Sequence, residues 1–252
     1  MRLLLLSNSK NVGQTYLEHA ADTIQDFFAG IRTALFVPYA GVRVTWNDFT
    51  ATVRAKFAEF GVGVGVDGIH TAQDPVAAVR AAEAVVVGGG NTFHLLKALH
   101  ERGLVEAIAE RVRAGVPFAG WSAGSNVACP TIRTTNDMPI VEPPTLDAMR
   151  LVPFQINPHY LDAHPAGHGG ETREERILEF IEANPGVTVV GLREGSILRL
   201  EGDRLTLLGA KTARIFLKGA APREIAPGEA IGEVMAGAGS RALKGSLGDG
   251  AR

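Results

Sequence analysis

The feature that most constrains the fold is a repeated alternation of short apolar runs with helical patterns in the first half of the chain. Several β-rich runs are each followed by residues of helical character: "RLLLLSN", "TALFVPYA", a short run near 61–66, "AVVVGGG" and "VPFAGW". Strands that alternate with helices form parallel sheets with helices on both faces. The sequence therefore predicts an α/β fold with a mostly parallel sheet.

The pattern changes after residue 130. Residues 131–170 are rich in Pro, His, Asp and Asn, which favours long, ordered loops. A helix is predicted at 173–183, and additional short C-terminal strands are predicted at 187–191, 196–200, 204–208 and 213–217. The last residues are rich in Gly and Ala and lack an apolar period. We expect a single α/β hydrolytic domain at 1–232 and a C-terminal tail at 233–252.

Composition narrows the class of partner. A formal net charge of -2 predicts no electrostatic attraction to nucleic acid or to an anionic membrane. The one cysteine, Cys129, excludes an internal disulfide framework, and the apolar run in "MRLLLLSNSK" is too short for a signal peptide or a membrane span. We expect a cytoplasmic protein that acts on a small molecule or a peptide.

A serine between two glycines follows the last of the apolar runs. In Gly120-Trp121-Ser122-Ala123-Gly124, the pattern Gly-x-Ser-x-Gly is typical of a nucleophile elbow, the sharp strand-to-helix turn that exposes a catalytic serine. The alternative is a serine that only caps the N-terminus of a helix. Because the pattern follows a predicted strand and precedes a short helix, we favour the nucleophile.

A serine nucleophile needs donors for the oxyanion, and "VVVGGGNTF" supplies candidates. Gly88, Gly89 and Gly90 end a predicted parallel strand, so their N–H groups should lie near Ser122, together with the N–H of Ala123. A tight turn or a phosphate loop are the alternatives. The dinucleotide fingerprint and the Gly-Lys-Ser/Thr ending of a P-loop are both absent from the sequence, so the phosphate loop is disfavoured.

Seven histidines compete for the role of general base. His159, in "INPHY", is the best candidate because it follows an apolar run in the loop-rich region. Asp162, His164 and His168 suggest a metal site, but their spacing matches none of the familiar zinc patterns, so no metal or cofactor is expected. Cys129 lies in the apolar stretch "NVACP", which favours packing over nucleophilic chemistry. The remaining histidines lie in predicted helices or follow a strand without a supporting motif: His19, His94, His100 and His70.

Several segments together resemble peptidase E, the α-aspartyl dipeptidases of a serine peptidase family that also includes cyanophycinase. They are "LLLLSNS", "GGGNTFHLLK", "GWSAGSNVACPTIRTTNDMPIVEP", "QINPHY" and "GHGGETREERI", and they extend to about residue 220. The resemblance implies a cytoplasmic serine dipeptidase that hydrolyses Asp-Xaa dipeptides, on a fold like that of class I glutamine amidotransferases. At position 125 this chain has a serine, where the family motif often has an alanine.

The resemblance also implies roles for individual residues. Ser122 matches the nucleophile and His159 the base, while the turn at Gly90 and Asn91 and the residue Ala123 match substrate-binding and oxyanion positions. Two acids compete to orient His159. Asp137 lies between nucleophile and base in chain order, whereas Glu194 follows the predicted strand at 187–191. We favour Glu194 and assign Asp137 to the loop or to the amino group of the substrate.

Arg173 is the candidate that selects an aspartyl side chain. In "GETREERI", Thr172 and Glu175 form a capping box that puts Arg173 at the first helical position. A cation there opposes the helix dipole, and sites that break local rules are often functional. The alternative is a surface arginine neutralised by Glu171 or Glu174.

Two other functions share these residues. One is a cyanophycinase-like peptidase that acts on β-aspartyl bonds, and the other is an inactive member of the family that binds an amino-acid ligand. Intact Ser122 and His159 argue against the inactive member. The expected partner is a small dipeptide, and the sequence leaves the oligomeric state open, with a homodimer as one option.

Overall fold

The structure, a computed structural model, describes residues 1–162 and 169–235. Its strands are β1 Arg2–Leu6, β2 Thr33–Val37, β3 Gly65–Gly68, β4 Val85–Val87, β5 Phe118–Trp121, β6 Gln155–Tyr160, β7 Val189–Arg193, β8 Ser196–Glu201, β9 Arg204–Gly209, β10 Ala213–Phe216 and β11 Arg223–Ile225. Its α-helices are α1 Ala21–Phe27, α2 Trp46–Glu59, α3 Pro75–Ala81, α4 Thr92–Glu101, α5 Leu104–Arg113, α6 Ala123–Asn126, α7 Arg173–Ala183 and α8 Gly232–Met235.

The main sheet has seven strands in the order β3-β2-β4-β5-β1-β8-β9. The first five strands in this order are parallel, while β8 and β9 are antiparallel additions at one edge. The prediction of a mostly parallel α/β sheet with additional C-terminal strands is confirmed. The carboxyl ends of the parallel strands lie at one edge of this sheet, which is where open α/β sheets bind their ligands.

Helices cover both faces of the main sheet because alternate residues of each buried strand point to opposite sides. Leu3 and Leu5 of β1 belong to the core that contains the apolar residues of α4 and α5. Leu4 and Leu6 belong to the core that contains those of α1 and α2. A continuous apolar run therefore suits a strand buried on both faces.

A second sheet has four strands in the order β11-β10-β7-β6. Strand β6 runs parallel to β7, and the other pairs are antiparallel. Helix α7, at the predicted position, packs on this sheet through Ile177 and Ile181, which contact a small core with Tyr160, Val189 and Phe216. The main sheet and the second sheet thus have separate hydrogen-bond ladders.

The structure corrects the sequence prediction in one place and adds a detail in another. Strand β6 lies inside 131–170, where only loops were predicted, because Pro158 and His159 hide the apolar pattern of this strand. The helical stretch after Asn91 is two helices, α4 and α5, which are separated by Gly103 in a left-handed conformation with φ of 64°.

Two further points concern the predicted C-terminal tail and the character of the helices. Helix α8 reaches into the predicted tail at 233–252, and most of that tail lies outside the described residues. Among the described helices, none combines the length and the apolar character that a bilayer crossing requires.

Candidate active site

Ser122 lies in the turn between β5 and α6, in a backbone conformation that few residues other than glycine adopt. Its φ is 52° and its ψ is −111°. A Cβ atom on Gly124 would come within 2.2 Å of the Val87 carbonyl oxygen, so glycine is what allows α6 to approach β4 this closely. A strained conformation of this kind costs about 1–3 kcal/mol and occurs mostly at functional sites. The turn has the features of a nucleophile elbow.

Ser122 is the first member of a chain of hydrogen bonds that runs through His159 to Glu194. Ser122 Oγ lies 2.9 Å from His159 Nε2, and His159 Nδ1 lies 2.7 Å from Glu194 Oε1. An ionised carboxylate only accepts, so Nδ1 carries the proton and Nε2 presents its lone pair to the serine hydroxyl. This is the tautomer that a general base requires. No helix-capping hydrogen bond of Ser122 is present in the described part of the chain.

His159 projects from an irregularity in β6. The register between β6 and β7 shifts between Pro158 and Tyr160, which leaves His159 as an extra residue with φ of 53°. Such β-bulges bend a strand and re-aim a side chain. Asn136 Nδ2 donates to the Pro158 carbonyl oxygen at 2.6 Å and so holds the peptide group that joins Pro158 to His159. The bulge directs the imidazole toward Ser122.

The glycine turn after β4 lies directly against Ser122. A Cβ atom on Gly89 would be 3.2 Å from the Ser122 Cβ. Gly90 has φ of 138°, and a Cβ there would come within 2.2 Å of the Ala40 carbonyl oxygen, so no other residue fits. Among the described residues, the N–H groups of Gly89, Gly90 and Ala123 have no hydrogen-bond acceptor. They are available to a developing oxyanion.

Asp137 lies at the N-terminus of α4 and not beside His159. Its Oδ2 accepts hydrogen bonds from Thr92 N at 2.8 Å, Thr92 Oγ1 at 2.6 Å and Thr135 Oγ1 at 3.2 Å. Asn91 caps the same helix, since its side chain accepts from His94 N and donates to the Met138 carbonyl oxygen. Both residues therefore order the loop around the glycine turn. Of the two competing acids, Glu194 is the one that contacts the imidazole.

A cavity of about 440 Å³ contains Asp137, Asn157 and Arg173 in its wall. Its lining residues include neither Ser122 nor His159. Asn157 lies two residues before His159, so the Cα atoms of this cavity residue and of the base are at most about 7 Å apart. Sequence reasoning did not single out Asn157. Nothing in the stretch "QINPHY" set it apart, because Gln155 and His159 are polar as well, and the burial of Asn157 is seen only in the structure.

Arg173 is half-buried and is the first residue of α7, after the predicted capping box. Glu171 pairs with Arg176 at 3.5 Å, and Glu174 pairs with Arg214 at 2.7 Å. Within residues 1–162 and 169–235, Arg173 has no carboxylate partner, so the alternative of a neutralised surface arginine does not hold. Burial lowers the pKa of the Arg173 guanidinium below its usual value, and the nearby Arg176 adds to this. An anionic ligand in the cavity would counteract both effects, because a nearby opposite charge favours the charged guanidinium.

Among the described residues, the remaining sequence candidates have no hydrogen bond to Ser122, His159 or Glu194. Burial lowers the pKa of His19, although the nearby Glu194 carboxylate acts in the opposite direction. Cys129 is fully buried, and burial raises the pKa of its thiol to about 12. His94 and His100 contact backbone carbonyl oxygens of Tyr39 and Asp147. In the described ranges, no group of three or more His, Cys, Asp or Glu side chains is arranged to hold a metal ion. His164 and His168 lie outside the described residues.

Most of the chain is similar in sequence to known peptidases. Residues 3–208 match the model of peptidase family S51. The chain is 55% identical over 237 residues to peptidase E of Streptomyces coelicolor, which covers 93% of this chain and 95% of the relative. It is 52% identical over 219 residues to peptidase E of Escherichia coli, which covers 87% of this chain and 95% of that relative.

Solved structures show the same fold. A putative peptidase E from Listeria monocytogenes EGD-e aligns with a TM-score of 0.62 and 21% identity, over 83% of this chain and 98% of its own. A peptidase from an acI-B1 Actinobacterium aligns with a TM-score of 0.66 and 18% identity, over 91% of this chain and 96% of its own.

Proposed function

Because the chain belongs to peptidase family S51, and is therefore a peptidase, we propose that it is a serine dipeptidase that hydrolyses Asp-Xaa dipeptides. The observation that carries the proposal is the chain of hydrogen bonds from Ser122 Oγ through His159 to Glu194 Oε1, at 2.9 and 2.7 Å. This arrangement suits acyl transfer to a serine and does not depend on a cofactor.

In the acylation step, His159 Nε2 removes the proton of Ser122 Oγ while Oγ bonds to the carbonyl carbon of the N-terminal aspartyl residue. The carbonyl oxygen becomes an oxyanion. When the tetrahedral intermediate collapses, the C–N bond breaks, and His159 gives its proton to the leaving amino group of the second residue. Glu194 stabilises the imidazolium that exists between these two proton transfers.

In the deacylation step, water attacks the aspartyl ester on Ser122 and His159 Nε2 takes its proton. The ester C–O bond breaks, Ser122 Oγ regains a proton from the imidazolium, and free aspartate leaves. The N–H groups of Gly90 and Ala123 stabilise the oxyanion in both steps. One oxyanion donor is typically worth about 3 kcal/mol of transition-state stabilisation.

Selection of aspartate is assigned to the cavity beside β6. Arg173 binds the side-chain carboxylate of the N-terminal residue, since it is half-buried and has no carboxylate partner in the described structure. Asp137 lines the same cavity and has the opposite charge. Its Oδ2 is engaged by two threonines, which leaves Oδ1 for the amino group of the substrate. A ligand that carries both charges fits this pair.

Hydrolysis of a panel of peptides tests the proposal. We expect rapid hydrolysis of Asp-Leu, and much slower hydrolysis of β-Asp-Leu, Glu-Leu, Asn-Leu and a longer peptide with N-terminal aspartate. A preference for β-Asp-Leu would instead favour the cyanophycinase-like function. Binding of aspartyl ligands without turnover of any peptide would identify the inactive, ligand-binding member.

A further inference from the structure

Three successive residues at the carboxyl end of β1 each accept a hydrogen bond from a backbone N–H of the catalytic segments. The pairs are Leu6 O with Ser122 N at 3.1 Å, Ser7 Oγ with His159 N at 2.9 Å, and Asn8 Oδ1 with Gly195 N at 2.8 Å. Gly195 directly follows Glu194. Each member of the proposed triad is therefore tied, through its own N–H or the next one, to one short segment of the chain.

Ser7 satisfies a peptide group that the sheet cannot. The bulge in β6 breaks the ladder with β7 at His159, so the N–H of this residue needs another acceptor. Ser7 Oγ supplies it, and the same hydroxyl donates to the Leu192 carbonyl oxygen at 2.7 Å. Ser7 is fully buried, which excludes water as a ready substitute. One hydroxyl thus joins β6 and β7 to the end of β1.

Asn8 makes an equivalent connection beside Glu194. Its Nδ2 donates to the Lys10 carbonyl oxygen at 2.9 Å and to Asn11 Oδ1 at 2.8 Å. A carbonyl oxygen only accepts, so this bond fixes the orientation of the amide and turns Oδ1 toward Gly195 N. Asn8 is 1% exposed, so this contact is also shielded from solvent.

The segment joins two parts of the molecule that are otherwise held by separate ladders. Ser122 follows β5 of the main sheet, whereas His159 and Glu194 belong to β6 and the end of β7 in the second sheet. The ladders fix strands within a sheet and do not fix one sheet against the other. The hydrogen bond from Asn126 Nδ2 to the Ile156 carbonyl oxygen and a shared apolar core help to do so, and Ser7 and Asn8 add contacts beside the point where the serine hydroxyl meets the imidazole.

We propose that Leu6–Asn8 is a positioning segment for the triad, in which Ser7 sets the position of His159 and Asn8 that of Glu194. This inference rests on the catalytic roles proposed above. Neither side chain touches the reacting atoms, so both act through the backbone of the residues that do. A displacement of a catalytic group by 1 Å can cost about 100-fold in rate.

The test compares two buried hydroxyl groups, that of Ser7 at the end of β1 and that of Thr50 in α2. Ser7→Ala removes the contacts with His159 N and the Leu192 carbonyl oxygen. The matched control is Thr50→Val, since the Thr50 hydroxyl is also buried and donates to a backbone carbonyl oxygen, that of Trp46 within α2, and has no hydrogen bond to the Leu6–Asn8 segment or to the triad. Ser7→Thr keeps the hydroxyl. We measure kcat and KM with Asp-Leu, and the rate at which a fluorophosphonate labels Ser122.

We expect Ser7→Ala to lower kcat and the labelling rate by roughly 10- to 100-fold with KM nearly unchanged. Ser7→Thr should recover most of both rates, and Thr50→Val should stay within about threefold of the wild-type protein. Asn8→Ala is the second, independent variant and decides the matter if Ser7→Ala does not fold. It should lower both rates in parallel, because Glu194 then orients His159 less well.

Two results would overturn the inference in distinguishable ways. If the wild-type protein is labelled at Ser122 but folded Ser7→Ala and Asn8→Ala react as fast as Thr50→Val, the positioning role is wrong and the catalytic roles stand. If the wild-type protein is neither labelled at Ser122 nor active on Asp-Leu, the catalytic roles fail and the inference fails with them.

Discussion

The two halves of the candidate site are positioned in different ways. Ser122 is placed by the glycine-flanked turn of its own segment, in which Gly124 allows α6 to approach β4, and by the end of the β1–β5 ladder, where its N–H donates to the Leu6 carbonyl oxygen. His159 and Glu194 are placed by residues far away in the chain: Ser7 is 152 residues from His159, and Asn8 is 187 residues from Gly195. A local motif can therefore reveal the nucleophile, while the contacts that position His159 and Glu194 become visible only in the folded molecule.

The largest loss of activity is expected when Ser122 is changed. Ser122→Ala should lower kcat for Asp-Leu by roughly 10⁴- to 10⁶-fold, since no other group replaces the nucleophile. The free energy of unfolding should change little, because Ser122 Oγ caps no helix in the described structure. Steady-state kinetics and thermal unfolding measure both quantities. Wild-type kcat in a preparation free of host peptidases would falsify the assignment.

The second half of the site, His159 with its orienting acid, is tested by exchanging Glu194 and Asp137, one at a time, for the corresponding amide. Glu194→Gln should lower kcat by about 10²- to 10⁴-fold, because the amide no longer stabilises the imidazolium or fixes the tautomer of His159. Asp137→Asn is the matched control and should change kcat by less than about tenfold, with a higher KM. A larger loss of kcat in Asp137→Asn than in Glu194→Gln would reverse the two roles.

The cavity beside β6 is a third region of the site, and we assign the choice of substrate to it. Arg173→Met should lower kcat/KM for Asp-Leu by roughly 10- to 100-fold, because a charge-assisted contact is lost, and it should reduce the advantage over Asn-Leu. Arg176→Met is the control, since Arg176 lines the same cavity but pairs with Glu171. An unchanged ratio of the two substrates in Arg173→Met would remove Arg173 from the selecting role.

The close packing of the elbow predicts a smaller, structural effect. Gly124→Ala should destabilise the fold by about 1–3 kcal/mol, because the new methyl group meets the Val87 carbonyl oxygen. Gly65→Ala is the control, since the nearest atom to a Cβ at this strand position lies at an ordinary 3.6 Å. Urea unfolding curves give the comparison. Equal stability of the two variants would mean that α6 does not depend on this contact.

The smallest effect is expected at the buried thiol. Burial raises the pKa of Cys129 to about 12, so its thiol stays protonated up to about pH 10 and reacts poorly. Iodoacetamide should leave the native protein unmodified at pH 8, and Cys129→Ala should keep kcat within about twofold. Rapid alkylation accompanied by loss of activity would show that the thiol is accessible and close to the chemistry.

The contrast between features set by local sequence and features set by distant contacts also explains what could be predicted from the sequence. The parallel sheet, helix α7 and the strand-to-helix context of Ser122 depend on local periodicity and on glycine, and each was predictable. Strand β6 was missed because Pro158 and His159 lie within it, at the bulge that orients the base. Burial of Ser7 and Asn8 was also hidden, since two small polar residues after an apolar run look like the beginning of a loop.

For the acid that orients His159, the residues alone left two candidates. Chain order favoured Asp137, and the rigid end of the predicted strand at 187–191 favoured Glu194. The observed strand, Val189–Arg193, ends directly before Glu194 and runs beside β6, which brings the carboxylate to the imidazole. This pairing joins segments that are 35 residues apart, and a one-residue change in register would have moved Glu194 to the other face.

The central claim is that Ser122, activated by His159 across the two sheets, is the nucleophile that cleaves aspartyl dipeptides. Its most direct test is to titrate the wild-type protein with a fluorophosphonate, map the modified residue by mass spectrometry and follow residual hydrolysis of Asp-Leu. We expect one adduct per chain, on Ser122, and activity that falls in proportion to labelling. Full activity of a completely labelled protein, or inactivation with the adduct on another residue, would contradict the claim.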